Sequence, residues 1–169
     1  MGGPSAAIVL SELIALGARR AIRVGTCGAL VGELALGELV IAREAICADG
    51  TSRALGAGER ASADPTLAGE LMRAAPAARA GTIVTVDLFY ESDRRGGAEP
   101  DTDTHDALAV EMEAAALFAV GADAGVPVAC VLTVSDTFDE QGGRGRIDDQ
   151  TLLESAEAMG RAGIAALPV

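Results

Sequence analysis

The sequence predicts an α/β protein, a three-layer sandwich in which helices flank a twisted, mostly parallel central sheet. Two observations predict this class. Strand-like and helix-like segments alternate along the chain, and two of the strands are continuously apolar, as in strands buried on both faces. The chain has 169 residues, half of them apolar, which suits one domain with a substantial core. We therefore expect a single domain over 1–169.

Strands are predicted at short apolar runs that end in glycine or polar residues. The first is the run Ala21-Ile22-Arg23-Val24, which stops at Gly25, and the longest is the apolar run before Ser135. The predicted strands are 21–24, 38–47, 82–86, 107–112 and 126–134.

Helices are predicted where an apolar or amphipathic run has proline near its start or glycine just after its end. Pro4 and Gly17 flank the first run, Pro65 opens the second, and Gly125 follows the third. The predicted helices are 5–16, 65–78 with a disturbance at Pro76, 114–124 and 149–167. The polar, glycine-containing stretches 48–64, 91–104 and 141–146 are predicted to be loops.

Composition excludes several classes of function. The formal net charge is −12, and all 13 basic residues are arginine, so the overall field opposes binding to nucleic acid or anionic lipid. Cys27, Cys47 and Cys130 lie far apart and form neither a metal-site spacing nor a disulfide framework. The sequence shows no apolar run long enough to span a membrane and no basic start typical of a secretory signal. We expect a cytoplasmic protein without a metal.

Polar groups follow several predicted strands, at the edge where ligands bind in parallel sheets. Gly25 to Gly28 form a glycine turn whose amides, Thr26 hydroxyl and neighbouring Arg23 suit an anion such as phosphate. An ordinary tight turn, with Arg23 paired to a surface carboxylate, is the alternative. Phe89 and Tyr90 end another strand, where a ring can either stack on a planar base or plug the core.

Three carboxylates complete this set of strand-end residues. Glu111 and Glu113 are two residues apart, so on a strand they share one face and can accept the hydroxyls of a sugar diol. The alternative is that they complement the dipole of the following helix. Asp136 follows the most apolar strand, where it can act as a general acid or simply cap a turn. Arg144 or Arg146 can reach over such a site.

Taken together, five segments resemble the nucleoside phosphorylase family, and in particular its hexameric purine nucleoside phosphorylases and methylthioadenosine phosphorylases. They occur in the family's order across nearly the whole chain. The segments are Gly3-Pro4-Ser5, Ile22-Arg23-Val24-Gly25-Thr26-Cys27-Gly28-Ala29, Asp87-Leu88-Phe89-Tyr90, Val110-Glu111-Met112-Glu113-Ala114-Ala115 and Val134-Ser135-Asp136.

The resemblance implies a role for each residue. Phosphate would be held by Arg23 and Thr26, and the ribose by Glu113 and Met112. The base would lie against Val86, Phe89 and Val110 and the backbone of Cys27 and Gly28. Asp136 would protonate purine N7, with Ser135 positioning it and Arg146 assisting.

The implied activity is phosphorolysis of purine nucleosides to the free base and ribose 1-phosphate, with inorganic phosphate as co-substrate and no cofactor. An aspartate at 136 favours purine over uridine. The family's strands before Gly3-Pro4-Ser5 have no counterpart in this sequence, so we expect an N-terminally truncated fold with an exposed sheet edge. A nucleosidase that uses water, or a catalytically incomplete fragment, remain alternatives. The resemblance also implies a homo-oligomer, built from dimers and reaching up to a hexamer.

Overall fold

In the computed structural model, which describes residues 1–88, 106–138 and 143–167, helices flank a mixed sheet. The helices are α1 (Gly3–Ala15), α2 (Gly50–Ala54), α3 (Pro65–Ala74), α4 (Ala114–Ala124) and α5 (Asp149–Ala166). The strands are β1 (Ala21–Ala29), β2 (Leu39–Cys47), β3 (Arg60–Ser62), β4 (Arg79–Thr85), β5 (Ala107–Glu111), β6 (Val128–Phe138) and β7 (Arg144–Arg146).

The sheet order is β3-β2-β4-β5-β1-β6-β7. Its two longest ladders, β1–β6 and β2–β4, are parallel, and so is β4–β5. The remaining pairings, which are shorter, are antiparallel, including β5 with β1 and β6 with β7. The α/β class is confirmed, and the parallel character predicted from the apolar strands belongs to the longest ladders of a mixed sheet.

The sheet also closes on itself, which the sequence did not predict. β2 pairs with β4 along one edge and antiparallel with β6 along the other, so that β2, β4, β5, β1 and β6 form a ring. Residues 40–42 of β2 are completely buried as a result. Closure leaves β1 paired with β5 only at Gly28 and Ala29 within the described residues.

Two helical layers cover the sheet, as expected for a three-layer arrangement. α1 and α4 pack together on one side, where Leu10, Ala115 and Phe118 join the largest core cluster. α3 and α5 pack on the other side, where Leu67 and Met159 join a second cluster. Among the described residues, no helix has both the length and the apolar character needed to cross a membrane.

Local signals explain most helix ends. α3 starts at Pro65, and the Asp64 carboxylate accepts a hydrogen bond from the Leu67 amide (2.8 Å), a typical N-cap. It ends at Ala74 rather than at 78, because Pro76 interrupts the helix more strongly than predicted. α4 spans its predicted range and ends at Gly125, whose φ of 64° is the left-handed conformation that glycine favours.

Two of the loop predictions are wrong for the residues that the structure describes. The stretch 48–64 contains α2 and β3, and the stretch predicted as a loop at 141–146 contains β7. β6 also continues past its predicted end to Phe138, where it pairs with β7. Short polar strands such as Arg144-Gly145-Arg146 carry no apolar pattern. They form because a neighbouring strand offers hydrogen bonds.

A glycine in α4 supplies a test of this packing. A Cβ on Gly121 would overlap Val128 Cγ2 and lie 2.7 Å from the Val126 carbonyl oxygen. We expect Gly121→Ala to lower the free energy of unfolding by about 1–3 kcal/mol through overpacking, despite the better helix propensity of alanine. Chemical denaturation measures this.

Gly160 in α5 is the matched control, because a Cβ there meets nothing within 4 Å. Gly160→Ala should raise stability by roughly 0.5–1 kcal/mol. Equal effects of the two substitutions would contradict the close approach of α4 to β6.

Candidate active site

A cavity of about 850 Å³ lies where the ends of β1, β5 and β6 meet β7 and the first turn of α5. It gathers most of the residues that the sequence singled out. The predicted site residues that line it are Arg23, Thr26, Cys27, Val110, Glu111, Met112, Glu113, Ser135, Asp136 and Arg146. The structure therefore brings these ten residues together at one cavity.

Two predicted base-lining residues, Val86 and Gly28, do not line this cavity. Val86 is half-buried and packs with Val110 against a small core cluster at the edge of the site. Gly28 lies against Val110 and Phe138, since a Cβ there would be 3.3 and 3.2 Å from their side chains. Phe89 lies outside the described residues.

Glu111 is the most deeply buried carboxylate of the site. It ends β5 and is only 3% exposed. One oxygen accepts a hydrogen bond from the Thr85 hydroxyl (2.5 Å), and the other accepts one from Arg23 Nε (3.0 Å). The backbone amides of Glu113 and Ala114 also donate to this carboxylate (2.8 and 2.9 Å). Glu111 therefore satisfies the first amides of α4, which otherwise lack partners.

This geometry corrects the interpretation of Glu111 as a substrate ligand. Burial raises the pKa of the Glu111 carboxyl, while Arg23, the Thr85 hydroxyl and the two amides oppose that rise. Its side chain is 1% exposed and its oxygens already face protein donors, so it has no accessible oxygen for a sugar. Glu111 acts by positioning Arg23 and the start of α4.

Glu113 is the less buried of the two carboxylates that line the cavity, with 9% of its side chain exposed against 1% for Glu111. One of its oxygens accepts a hydrogen bond from the Gly2 amide (2.7 Å), and the other lies 2.5 Å from Arg23 Nη2. Burial raises its pKa, but the Arg23 charge and the Gly2 hydrogen bond outweigh burial, so the pKa lies below its ordinary value. Glu113 is thus a carboxylate near neutral pH, in the form that accepts hydroxyl hydrogens.

Gly25 makes room for Arg23. A Cβ on Gly25 would lie only 2.7 Å from Arg23 Nη1, so the guanidinium lies directly over this residue's backbone. The glycine of the strand-end turn therefore allows Arg23 to fold back along β1 toward Glu111 and Glu113. The alternative of Arg23 pairing with an unrelated surface carboxylate is wrong, because both of its partners belong to the site.

A β-bulge presents Ser135 and Asp136. In the β1–β6 ladder Cys27 pairs with Val134, whereas Gly28 pairs with Asp136, so Ser135 is an extra residue in β6. Bulges change the direction of side chains near active sites. The Ser135 hydroxyl lies 3.3 Å from the Cys27 carbonyl oxygen and 2.7 Å from Asp136 Oδ2. Asp136 itself is 5% exposed.

Arg144, rather than Arg146, contacts Asp136. Arg144 Nε donates a hydrogen bond to Asp136 Oδ1 (2.7 Å), and its Nη2 lies 2.6 Å from the same oxygen. Arg146 stands opposite Asp136 in the β6–β7 ladder and lines the cavity, but makes no ion pair with Asp136 in the described structure. The two arginines are two residues apart on β7 and share a face, so the sequence could not distinguish them.

The site offers no thiolate nucleophile. Burial raises the pKa of Cys27 to about 12, and the nearby Glu111 charge raises it further than Arg23 lowers it, so the thiol stays protonated. In the part of the chain that the structure describes, no three His, Cys, Asp or Glu side chains are grouped to hold a metal ion. The carboxyl groups that line this site are able to perform acid–base chemistry.

Phe138 is a neighbour of the site that the sequence analysis did not assign. It is 47% exposed, lies against Gly28, and lines a second cavity of about 630 Å³ beside Arg144. The available signal was its position two residues after Asp136, which puts both side chains on one face of β6. Aromatic residues are rare in this sequence, which strengthens that signal.

The contacts of Glu111 predict that replacing one of its side-chain oxygens lowers the stability of the fold strongly. Glu111→Gln replaces an acceptor oxygen by an N–H₂ group among partners that all donate, and removes the charge opposite Arg23. We expect a loss of about 3 kcal/mol in the free energy of unfolding. Denaturant titration measures it.

Glu44→Gln is the matched control, since Glu44 pairs with Arg60 at the surface (2.6 Å). Its loss should stay below about 1 kcal/mol. Equal losses in both variants would mean that the Glu111 network contributes no more than a surface ion pair.

Comparison with known proteins places this arrangement in a family. A purine nucleoside phosphorylase of the DeoD type from Dichelobacter nodosus is 36% identical over 164 residues, covering 89% of this chain and 66% of the relative. A guanosine phosphorylase from Halorubrum lacusprofundi is 36% identical over 165 residues, covering 93% and 66%. A DeoD-type enzyme from Myxococcus xanthus is 40% identical over 143 residues, covering 80% and 59%.

The chain thus spans less than two thirds of the length of these curated relatives. The family model described as the phosphorylase superfamily matches residues 1–167, nearly the whole chain. With the mixed sheet and the clustered strand-end residues, this match shows that the chain belongs to the phosphorylase superfamily.

Proposed function

We propose that this chain carries out phosphorolysis of purine nucleosides to the free base and ribose 1-phosphate, with inorganic phosphate as co-substrate and no cofactor. The observation that carries the proposal is the Asp136 carboxyl, held by Ser135 and Arg144 in the same cavity as the Arg23–Glu113 pair. The names of the relatives, purine nucleoside phosphorylase and guanosine phosphorylase, support the purine class.

Asp136 is the proposed general acid. A phosphate oxygen attacks C1′, the C1′–N9 bond breaks, and its electron pair passes to the purine, which takes a proton from Asp136 at N7. Ser135 and Arg144 contact different oxygens of this carboxyl and hold its orientation. The Arg144 charge stabilises the carboxylate that remains after the proton has left, so it favours transfer to the base.

Glu113 is the proposed ribose ligand. Its carboxylate faces the cavity and its pKa is lowered chiefly by the Arg23 charge acting against burial, so it accepts hydroxyl hydrogens. Met112 lines the same cavity and supplies an apolar surface for the sugar. Arg23, held by Glu111 and Glu113, lies where the oxocarbenium-like sugar meets the incoming phosphate.

The base is proposed to bind against the apolar wall formed by Val110, Gly28 and Phe138, next to Asp136. Phe89, the residue that the resemblance assigns to stacking, lies outside the described residues.

We also infer that the chain forms a homo-oligomer, and light scattering tests this. All three cysteines are free and buried, which suits the cytoplasm, the compartment that we expect.

The decisive experiment is base release from inosine, guanosine and adenosine by the purified 169-residue chain, with and without phosphate. We expect release that depends on phosphate and yields ribose 1-phosphate. Release of base and free ribose without phosphate would contradict the proposal and assign a nucleosidase. No release with any nucleoside would contradict it in favour of a catalytically incomplete fragment.

Asp136→Asn tests the acid. It should lower kcat by about 10²-fold or more with a much smaller change in nucleoside KM, because the proton is needed only as the glycosidic bond breaks. Steady-state kinetics at saturating phosphate measure both. Asp106→Asn is the control, since Asp106 pairs with Arg60 away from the cavity, and it should leave kcat unchanged. An unaltered kcat in Asp136→Asn would exclude the acid role.

A further inference from the structure

Strand β6 changes its neighbour at the residues that carry the proposed acid. Up to Thr133, one edge of β6 pairs antiparallel with β2, and Leu39 lies opposite Thr133. From Asp136 onward, that edge pairs with β7, and Arg146 lies opposite Asp136. β1 pairs with the other edge both before and after this change. Ser135, the extra residue of the β-bulge, therefore stands where β6 passes from one neighbour to the next.

β2 and β7 compete for this edge of β6. Because the two strands are antiparallel with Leu39 opposite Thr133, each step back along β2 is one step forward along β6. If this register continued, Gly37 would lie opposite Ser135, and the residue before it would lie opposite Asp136. β7, which carries the arginine bonded to Asp136, could then not pair there. The contacts of the acid depend on where β2 leaves the edge.

β2 leaves this edge at Gly37. The Gly37 amide donates to the Val134 carbonyl oxygen (2.9 Å), and the Val134 amide donates to the Glu38 carbonyl oxygen (2.9 Å). The φ of Gly37 is 83°, a left-handed conformation that glycine adopts without strain, and the Glu38 amide turns back to the Ala35 carbonyl oxygen (3.1 Å). The edge of β6 from Ser135 onward is therefore left to β7.

Helix α5 packs directly on Gly37. The Ser155 hydroxyl, in a residue that is 7% exposed, donates to the Gly37 carbonyl oxygen (3.3 Å). A Cβ on Gly37 would lie 3.0 Å from Thr151 Cγ2 and 3.3 Å from Ser155 Oγ. Thr151 is itself held, because its hydroxyl donates to the Asp148 carboxylate that caps α5 (2.6 Å). A side chain at position 37 would meet both a strained backbone and a packed helix.

We propose that Gly37 is a positioning residue for Asp136. Its conformation under α5 ends the β2–β6 pairing and leaves the edge beside Ser135 and Asp136 to β7. β7 then brings Arg144 to the Asp136 carboxylate. Gly37 does not line the cavity, so it acts only through the strands. The inference rests on the proposed function only in taking Asp136 as the general acid.

The test is the NMR signal of the Arg144 Nε–H group, which needs no turnover. In the ¹⁵N-labelled full chain, this signal is the one lost in Arg144→Lys. Gly37→Ala should shift it, because the bond from Arg144 Nε to Asp136 depends on β7. Gly56→Ala is the matched control and should leave the signal in place. The φ of Gly56 is nearly the same, 81°, but a Cβ there meets nothing within 4 Å.

Two further variants separate positioning from a general loss of structure. Thr151→Ser removes the methyl group nearest to position 37 and keeps the hydroxyl bonded to Asp148. Combined with Gly37→Ala, it should return the Arg144 signal toward its wild-type position. Ser155→Ala removes the hydrogen bond to the Gly37 carbonyl and should shift the signal by a smaller amount. It carries the test if circular dichroism shows that Gly37→Ala does not fold.

Steady-state kinetics supply a second readout. Gly37→Ala should lower kcat about tenfold with a smaller change in nucleoside KM, because the acid is displaced while the proposed ribose ligand is not. Gly56→Ala has the same backbone strain and should leave kcat unchanged.

An Arg144 signal that stays in place in both Gly37→Ala and Ser155→Ala would overturn the inference, and so would an equal shift in Gly56→Ala. If the wild type releases base with phosphate and Gly37→Ala keeps the wild-type kcat, the inference fails and the proposed function stands. If the wild type releases no base while Gly37→Ala shifts the Arg144 signal and Gly56→Ala does not, the inference stands and the proposed function fails.

Discussion

The carboxylate of Glu111 joins more of this structure than any other polar group described. It receives the Thr85 hydroxyl from β4, the Arg23 guanidinium from β1 and two amides from the start of α4. The Thr85 hydroxyl in turn accepts the Ala115 amide (3.0 Å), so the helix end is satisfied through one buried anion. Because a buried carboxylate is costly without partners, these elements hold each other in place.

The Glu111 network and the register of the strands position several residues of the site. Arg23 is held over Gly25 by the two glutamates, and this brings Glu113 to the cavity. On the opposite wall, one extra residue in β6 turns Ser135 and Asp136 toward the same space. Both devices consist of the protein's own contacts, so the side chains of the site are held in a defined arrangement.

Electrostatics divide the cavity into two regions. Around Glu111 and Glu113, the two carboxylates are paired with Arg23 and with the Met1 amino group. Around β7, Arg144 and Arg146 line the cavity together with Asp136 and Asp149. The net charge of −12 for the whole chain therefore says little about the site, since local pairing decides what each side chain can bind.

The sequence by itself determined the α/β class, α4 and the ends of several strands, because periodicity, glycine and proline act locally. Ten of the residues that it named line one cavity. Only the tertiary structure decided that the sheet closes through β2 and β6, that β7 forms, that Glu111 is a buried positioning group while Glu113 is less buried, and that Arg144 reaches Asp136. These depend on pairing between segments distant in the chain and on burial. Two glutamates or two arginines that are two residues apart look equivalent in the sequence. They differ only when segments distant in the chain bury or contact one of them.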